Sequence, residues 1–158
     1  MNNEIERKFY VKNMPDLSGI KPLRYERYFL ERGNGTEIRI SKVNDTYKYE
    51  KKVEVSDLER TRESKEISKE EFEELKKVAS ESIIRERYNI SDNPNIAIQI
   101  YHGRFEGLAR AEVEFASEAE ARDFVPLDWM GEEMTGLPIA RDSKLIDLTD
   151  SEFRSFLK

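Results

Sequence analysis

The feature that most restricts how this chain can fold is an alternation in which charge keeps to one parity of successive strand-like segments. In segment 1–11, Glu4, Glu6 and Lys8 share one parity while Ile5 and Phe9 share the other. Lys48, Glu50 and Lys52 oppose Tyr47, Tyr49, Lys51 and Val53, and Arg110, Glu112 and Glu114 oppose Ala111, Val113 and Phe115. Arg85 and Arg87 repeat the pattern less cleanly, because Glu86 shares the parity of Ile84 and Tyr88. Side chains at i and i+2 of a strand lie about 7 Å apart on one face. For any one strand, a charged face is a solvated face. Sorted signs are different: two segments carry glutamates at i and i+2, and the others carry paired cations. If such strands close with the charged face inward, the interior holds at least four carboxylates and several cations.

The segments that read as strands are 1–11, 23–31, 37–42, 46–52, 59–67, 83–90, 96–103 and 108–115. Turn chemistry separates them, most clearly at Gly33-Asn34-Gly35 and around Asn44-Asp45. Ser68, with Glu71 three residues on, forms a capping box for a helix running to about Glu81, with Phe72, Leu75, Val78 and Ala79 as its apolar stripe. Ser117 predicts a short helix to Phe124, and another is expected over 150–157, after an irregular stretch holding Pro126, Gly131, Gly136 and Pro138. Eight short strands at this spacing predict a mainly β, α+β fold: an eight-stranded antiparallel β-barrel tunnel with a few flanking helices. One domain over residues 1–158 is expected, since this length suits a single core.

Composition removes several chemistries. The chain has 158 residues, no cysteine and one histidine, so disulfides, thiolate catalysis, cysteine-based zinc or iron–sulfur centres and His-rich metal sites are excluded. No P-loop, Gly-x-Gly-x-x-Gly or zinc-ligand spacing occurs. No apolar run approaches the ~18 residues of a membrane helix, and the first residues lack a signal-peptide core, so a cytoplasmic protein without a membrane partner is expected. Acidic residues outnumber basic ones, 33 to 27, and no exposed basic stripe is evident, which argues against nucleic-acid binding.

The charged interior then has its own logic. Two carboxylates ~5 Å apart at an effective dielectric of 20 repel by about 3 kcal/mol. Four together need cations, and hard divalent ions such as Mg²⁺ or Mn²⁺ prefer oxygen ligands. Surplus arginines and lysines suit phosphate oxygens. Such an interior is suited to a metal-chelated polyphosphate.

Glu4-x-Glu6-x-Lys8 near the N-terminus resembles the signature of the CYTH family, the triphosphate tunnel metalloenzymes. The likeness continues through His102-Gly103, Gly107-Leu108 and Ala111-Glu112-Val113-Glu114-Phe115, then Trp129-Met130-Gly131, Glu133 to Gly136, and Ser143-x-Leu145. It spans nearly the whole chain in order. The family comprises inorganic triphosphatases, thiamine triphosphatases and class IV adenylate cyclases, built on an eight-stranded tunnel with an inward charged face. The resemblance implies metal ligation by Glu4, Glu6, Glu112 and Glu114, bound to Mg²⁺ or Mn²⁺. It implies triphosphate clamping by Lys8, Arg39, Lys48, Lys52, Arg60, Arg85, Arg87 and Arg110. The implied activity is metal-dependent hydrolysis of inorganic or nucleoside triphosphate. Lys8 and the four glutamates would be the catalytic set.

The chain also departs from the family pattern. Ser41 follows Arg39 where a second arginine is usual, Arg62-Glu63-Ser64 follows Arg60 where acid is usual, and Ala97 and Gln99 stand where inward acids are usual. The last change weakens the expected hold on a second metal ion. Two other readings therefore stay open: a class IV adenylate cyclase making cyclic AMP from ATP, and a non-catalytic binder of triphosphate or nucleotide. His102 and Trp129 read as structural, and Tyr25, Tyr28, Tyr47, Tyr49 and Tyr101 read as outer-face packing. Oligomeric state is open, a homodimer being compatible.

Overall fold

The computed structural model describes residues 2–79 and 82–158. Nine strands are present among the described residues: β1 (Asn2–Val11), β2 (Leu23–Gly33), β3 (Thr36–Val43), β4 (Thr46–Glu54), β5 (Glu59–Ile67), β6 (Ser82–Asp92), β7 (Asn95–His102), β8 (Ala109–Phe115) and β9 (Met130–Glu133). Among the described residues four α-helices accompany them: α1 (Lys69–Lys76), α2 (Glu118–Asp123), α3 (Asp142–Leu145) and α4 (Asp150–Phe156). Neighbouring strands pair antiparallel in the order β5-β4-β3-β2-β6-β7-β8-β1. β1 then pairs back to β5, with Glu4 opposite Arg60, and the sheet closes into a ring of eight. Closure leaves no unpaired edge between these strands.

The ninth strand was not expected. Its four residues, Met-Gly-Glu-Glu, carry no alternation, and it adds to β1 outside the ring, with Phe9 opposite Glu133 and Val11 opposite Met130. The hairpin turns follow their sequence signals: Asn34, Gly35 and Asn44 have φ of 50°, 75° and 52°, the left-handed region that Asn and Gly tolerate best.

α1 starts as expected, with both bonds of the Ser68–Glu71 capping box formed. It ends at Lys76, short of the predicted stripe. Val78 is 78% exposed, Phe72 is the helix's buried residue, and Leu75 is partly buried against the same cluster. The expected end near Glu81, like Met1 of the first segment, lies outside the described residues. No helix among the described residues is long and apolar enough to cross a membrane.

Because strand residues alternate, closure divides each strand between two environments. Outward residues pack under helices and loops. Phe72 meets Tyr28 and Tyr47 at ring-centroid distances of 5.9 and 5.0 Å, and Phe9, Ala111 and Val113 lie beneath Phe124 and Trp129. Inward residues change character along the axis. Tyr10, Phe29, Ile83, Tyr101 and Leu108 continue the inward parities of their strands at one end. There they join Phe105, Met134, Ile139, Leu145 and Phe153 in an apolar plug. Beyond that plug the inward positions are charged.

Candidate active site: a charged barrel interior

The charged part of the interior encloses a cavity of about 280 Å³. All twelve residues singled out from the sequence line it. Glu4, Glu6 and Lys8 come from β1, Arg39 from β3, and Lys48 and Lys52 from β4; Arg60 comes from β5, Arg85 and Arg87 from β6, and Arg110, Glu112 and Glu114 from β8. Their side chains meet although the positions are spread over more than a hundred residues, because the ring places six strands around one axis.

The lining also holds eight residues that sequence reasoning did not assign to the site: Tyr25, Arg27, Glu37, Glu50, Arg62, Gln99, Arg141 and Asp142. Glu50 and Arg62 were legible from parity, and Arg27 shares the inward parity of β2. Asp142 gave no signal, since it lies on α3 in the irregular C-terminal stretch rather than on a strand. Among the described residues, eleven cations face seven carboxylates across this lining, a positive surplus inside a chain whose net charge is −6.

Ion pairs hold these charges in place. Glu6 Oε1 lies 2.5 Å from Arg60 and 3.9 Å from Lys8 Nζ. Glu4 Oε1 is 3.1 Å from Lys52 Nζ and 3.5 Å from Arg62, yet receives no aligned hydrogen bond. Glu112 accepts from Arg110 at 3.0 Å, from Arg87 at 3.3 Å and from the Gln99 amide at 3.3 Å. Glu50 lies between Arg27, Arg39 and Arg62. Among the described residues, no three acidic or histidine side chains are drawn together into a ready metal cage. The four glutamates share the cavity, each against its own cation or at its rim.

Protonation follows from these neighbours. Burial pushes the Glu6 carboxyl up, but Lys8, Arg60 and Lys52 outweigh it and hold the pKa at about 2. Burial, against the pull of Glu6, takes the Lys8 ammonium down to about 7. Burial, aided by Arg39, takes Lys52 to about 8. Glu114 moves the other way: burial and the nearby charges of Glu6 and Glu4 raise its pKa. Acid oxygens are therefore crowded at this side of the cavity.

Asp142 organises the opposite, inner end. Its Oδ2 accepts from Arg27 Nη1 at 2.9 Å and from Arg85 Nε at 3.0 Å. Its Oδ1 accepts from the Tyr101 hydroxyl and lies 3.6 Å from Arg110 Nη2. Three guanidinium groups from three strands converge on one carboxylate, whose pKa they hold well below the usual range against the effect of burial. The preceding turn, Pro138–Ala140, adds carbonyls: Ile139 accepts from Arg110 and Ala140 from Lys8 Nζ, at 2.9 and 2.6 Å.

The departures in sequence acquire structural roles here. The arginine absent at Ser41 has a counterpart in Arg27, whose Nε donates to Ser41 Oγ at 3.1 Å. Gln99 links the two sectors, its Oε1 accepting from Arg85 and its Nε2 donating to Glu112. Ala97, opposite Glu112, is buried and contributes no charge. Two tyrosines differ from expectation. Tyr25 and Tyr101 face inward on the parities of Arg27 and Gln99, and Arg85 lies over the Tyr25 ring at 4.4 Å. His102 is structural, with Nε2 2.6 Å from Glu86, and Trp129 packs in the outer shell.

No model of a described protein family matches the chain. An inorganic triphosphatase from Nitrosomonas europaea is 32% identical over 137 residues, covering 84% of this chain and 89% of that protein. The chain belongs to the CYTH family, the triphosphate tunnel metalloenzymes. A solved structure of the inorganic triphosphatase NE1496 agrees with this member of the family at a TM-score of 0.67 and 27% identity, over 92% of this chain and 95% of that one. A Pyrococcus horikoshii protein at 16% identity shares the fold at a TM-score of 0.57, over 80% of this chain and 93% of that one. The tunnel of the CYTH fold is thus the ring of eight described above, with β9 as an addition.

Proposed function

We propose that this chain hydrolyses a short inorganic triphosphate inside the barrel, releasing pyrophosphate and orthophosphate, with a divalent cation as cofactor. The observation that carries this reading is the surplus of cations enclosed with crowded carboxylates in the interior of an acidic chain. The Nitrosomonas relative, an inorganic triphosphatase, supports the reaction class.

The donor set fits a hard divalent ion. Glu4 Oε1 is buried without an aligned donor, and burial together with the charges of Glu6 and Glu4 pushes Glu114 toward protonation. A cation relieves both conditions. Glu4, Glu6, Glu112 and Glu114 would hold Mg²⁺ or Mn²⁺, which supplies charge neutralisation and polarisation of bound oxygens. The protein's own groups supply the rest. Lys8, Arg39, Lys52 and Arg60 present hydrogen-bond donors to phosphate oxygens from fixed strand positions. Arg87, with Lys48 and Arg62 toward the rim, draws the anion in. Arg85 and Arg110 keep their orientation through Asp142 and Glu112.

Inorganic triphosphate is favoured over a nucleotide because the lining has no aliphatic side chain, and Tyr25, its one aromatic among the described residues, has Arg85 over its ring. A base would have to compete with the Arg27 and Arg85 guanidinium groups for that ring. Incubating the protein with tripolyphosphate, ATP or thiamine triphosphate, plus Mg²⁺ or Mn²⁺, tests this. Orthophosphate and pyrophosphate from tripolyphosphate are expected. Cyclic AMP from ATP would make it a cyclase, and metal-dependent binding without turnover would make it a binder.

A further inference from the structure

The geometry points to Asp142 as a built-in anion that occupies the innermost phosphate seat of the barrel and so limits the length of polyphosphate the cavity accepts. This rests on the reading of the cavity as a triphosphate site. The seat is made by the barrel wall and filled from elsewhere. Arg27, Arg85 and the Tyr101 hydroxyl, from three strands, each donate to one carboxylate on the inner side of the cavity, and Arg110, from a fourth, lies 3.6 Å from it with its own donors on Glu112 and the Ile139 carbonyl. The carboxylate at that point belongs to α3, on the segment that closes the barrel's end. The other six carboxylates of the lining stand on strands.

One oxygen taking donors from two guanidinium groups, the other taking a tyrosine hydroxyl with a third guanidinium 3.6 Å away, resembles the way arginines receive the oxygens of a phosphoryl group. The Asp142 side chain is 2% exposed, and just below it the inward positions turn to the apolar plug, where no further anion can be received. A phosphate chain entering from the glutamate rim therefore meets its last available donors before this point. Its terminal group stops against a carboxylate of like charge. The cations left for substrate are those not bound to Asp142, among them Lys8, Lys52, Arg60 and Arg87.

Calorimetric titration of native protein and of Asp142→Asn with orthophosphate, pyrophosphate, tripolyphosphate and tetrapolyphosphate, in metal-free buffer, tests the assignment. For native protein, affinity rises from pyrophosphate to tripolyphosphate and then levels off, the fourth phosphate adding less than about threefold. In Asp142→Asn, which keeps the side chain's shape, the ratio of tetrapolyphosphate to tripolyphosphate affinity rises about tenfold or more, the size of one charge-assisted contact. Orthophosphate also binds the variant more tightly than the native chain and raises its melting temperature further. An unchanged length preference and no added orthophosphate binding in a folded variant overturn the assignment and leave Asp142 a structural counter-ion. If the variant does not fold, native protein decides: tetrapolyphosphate bound tenfold more tightly than tripolyphosphate overturns it. Native protein that neither binds nor hydrolyses tripolyphosphate refutes the triphosphate reading itself, while the orthophosphate comparison still tests whether the seat is occupied.

Discussion

Glu112 shows how much one side chain carries in this interior. It receives Arg110, Arg87 and the Gln99 amide, and it faces Lys8 across the β1–β8 ladder. Glu112→Gln keeps the shape and removes the charge that a metal and the arginines both require. Tripolyphosphate hydrolysis in Glu112→Gln, and likewise in Glu4→Gln, is expected to fall by about a hundredfold or more with far-UV circular dichroism unchanged. Full activity in either variant would remove these glutamates from the catalytic set. Glu50 and Glu37, together with Glu6, contribute to the acid response. Arg39 and its neighbours hold the first two at about 2 against burial, below the ordinary 4.5. A carboxylate with a depressed folded pKa contributes stability that is fully present above its unfolded pKa and is lost as pH falls through the folded value. Urea unfolding midpoints should therefore decline mainly between pH 4.5 and 2. Glu50→Gln should lose stability at neutral pH and flatten that decline, whereas a native curve level across the interval would contradict these pairings.

At the scale of elements, the outer shell and the inner face are separable. Phe72 is 1% exposed, and it packs from α1 onto Tyr28 and Tyr47, on the side of the sheet away from the cavity. Phe72→Ala should lower unfolding free energy by about 3–5 kcal/mol in denaturant titrations while leaving kcat per folded molecule unchanged. A kcat lowered in parallel would mean that the shell positions the site. The same division explains what the sequence disclosed. In β1, β4 and β8 every second residue is charged, so parity alone assigned Glu4, Glu6, Lys8, Glu50 and Glu112 to one face. The direction of that face, inward, required closure between β1 and β5, which is a long-range pairing. β9 escaped because four residues give too short a run for period two to register, and α1 ended early because periodicity does not say how much surface waits to receive it. Asp142 was illegible for a related reason: its partners lie on β2, β6, β7 and β8, and nothing local to α3 encodes them.

As a whole molecule, the barrel inverts the usual arrangement of apolar and charged surface. The barrel puts apolar surface on its outside, under helices and loops, and uses its interior for seven carboxylates and eleven cations, stopped at one end by an apolar plug. Isolated buried charges are costly, and breaking one buried pair costs about 3–5 kcal/mol, so such an interior stands only when each charge has partners. Those partners leave a positive surplus, which gives a polyanion a reason to enter. The most direct test is a crystal structure of the native protein soaked with Mn²⁺ and a non-hydrolysable imido analogue of tripolyphosphate, the manganese being located by anomalous scattering. The account predicts manganese among the carboxylate oxygens of Glu4, Glu6, Glu112 and Glu114, with the phosphate chain inside the barrel against Lys8 and Arg60. Manganese and phosphate bound only on the outer surface, with the interior ion pairs undisturbed, would contradict it.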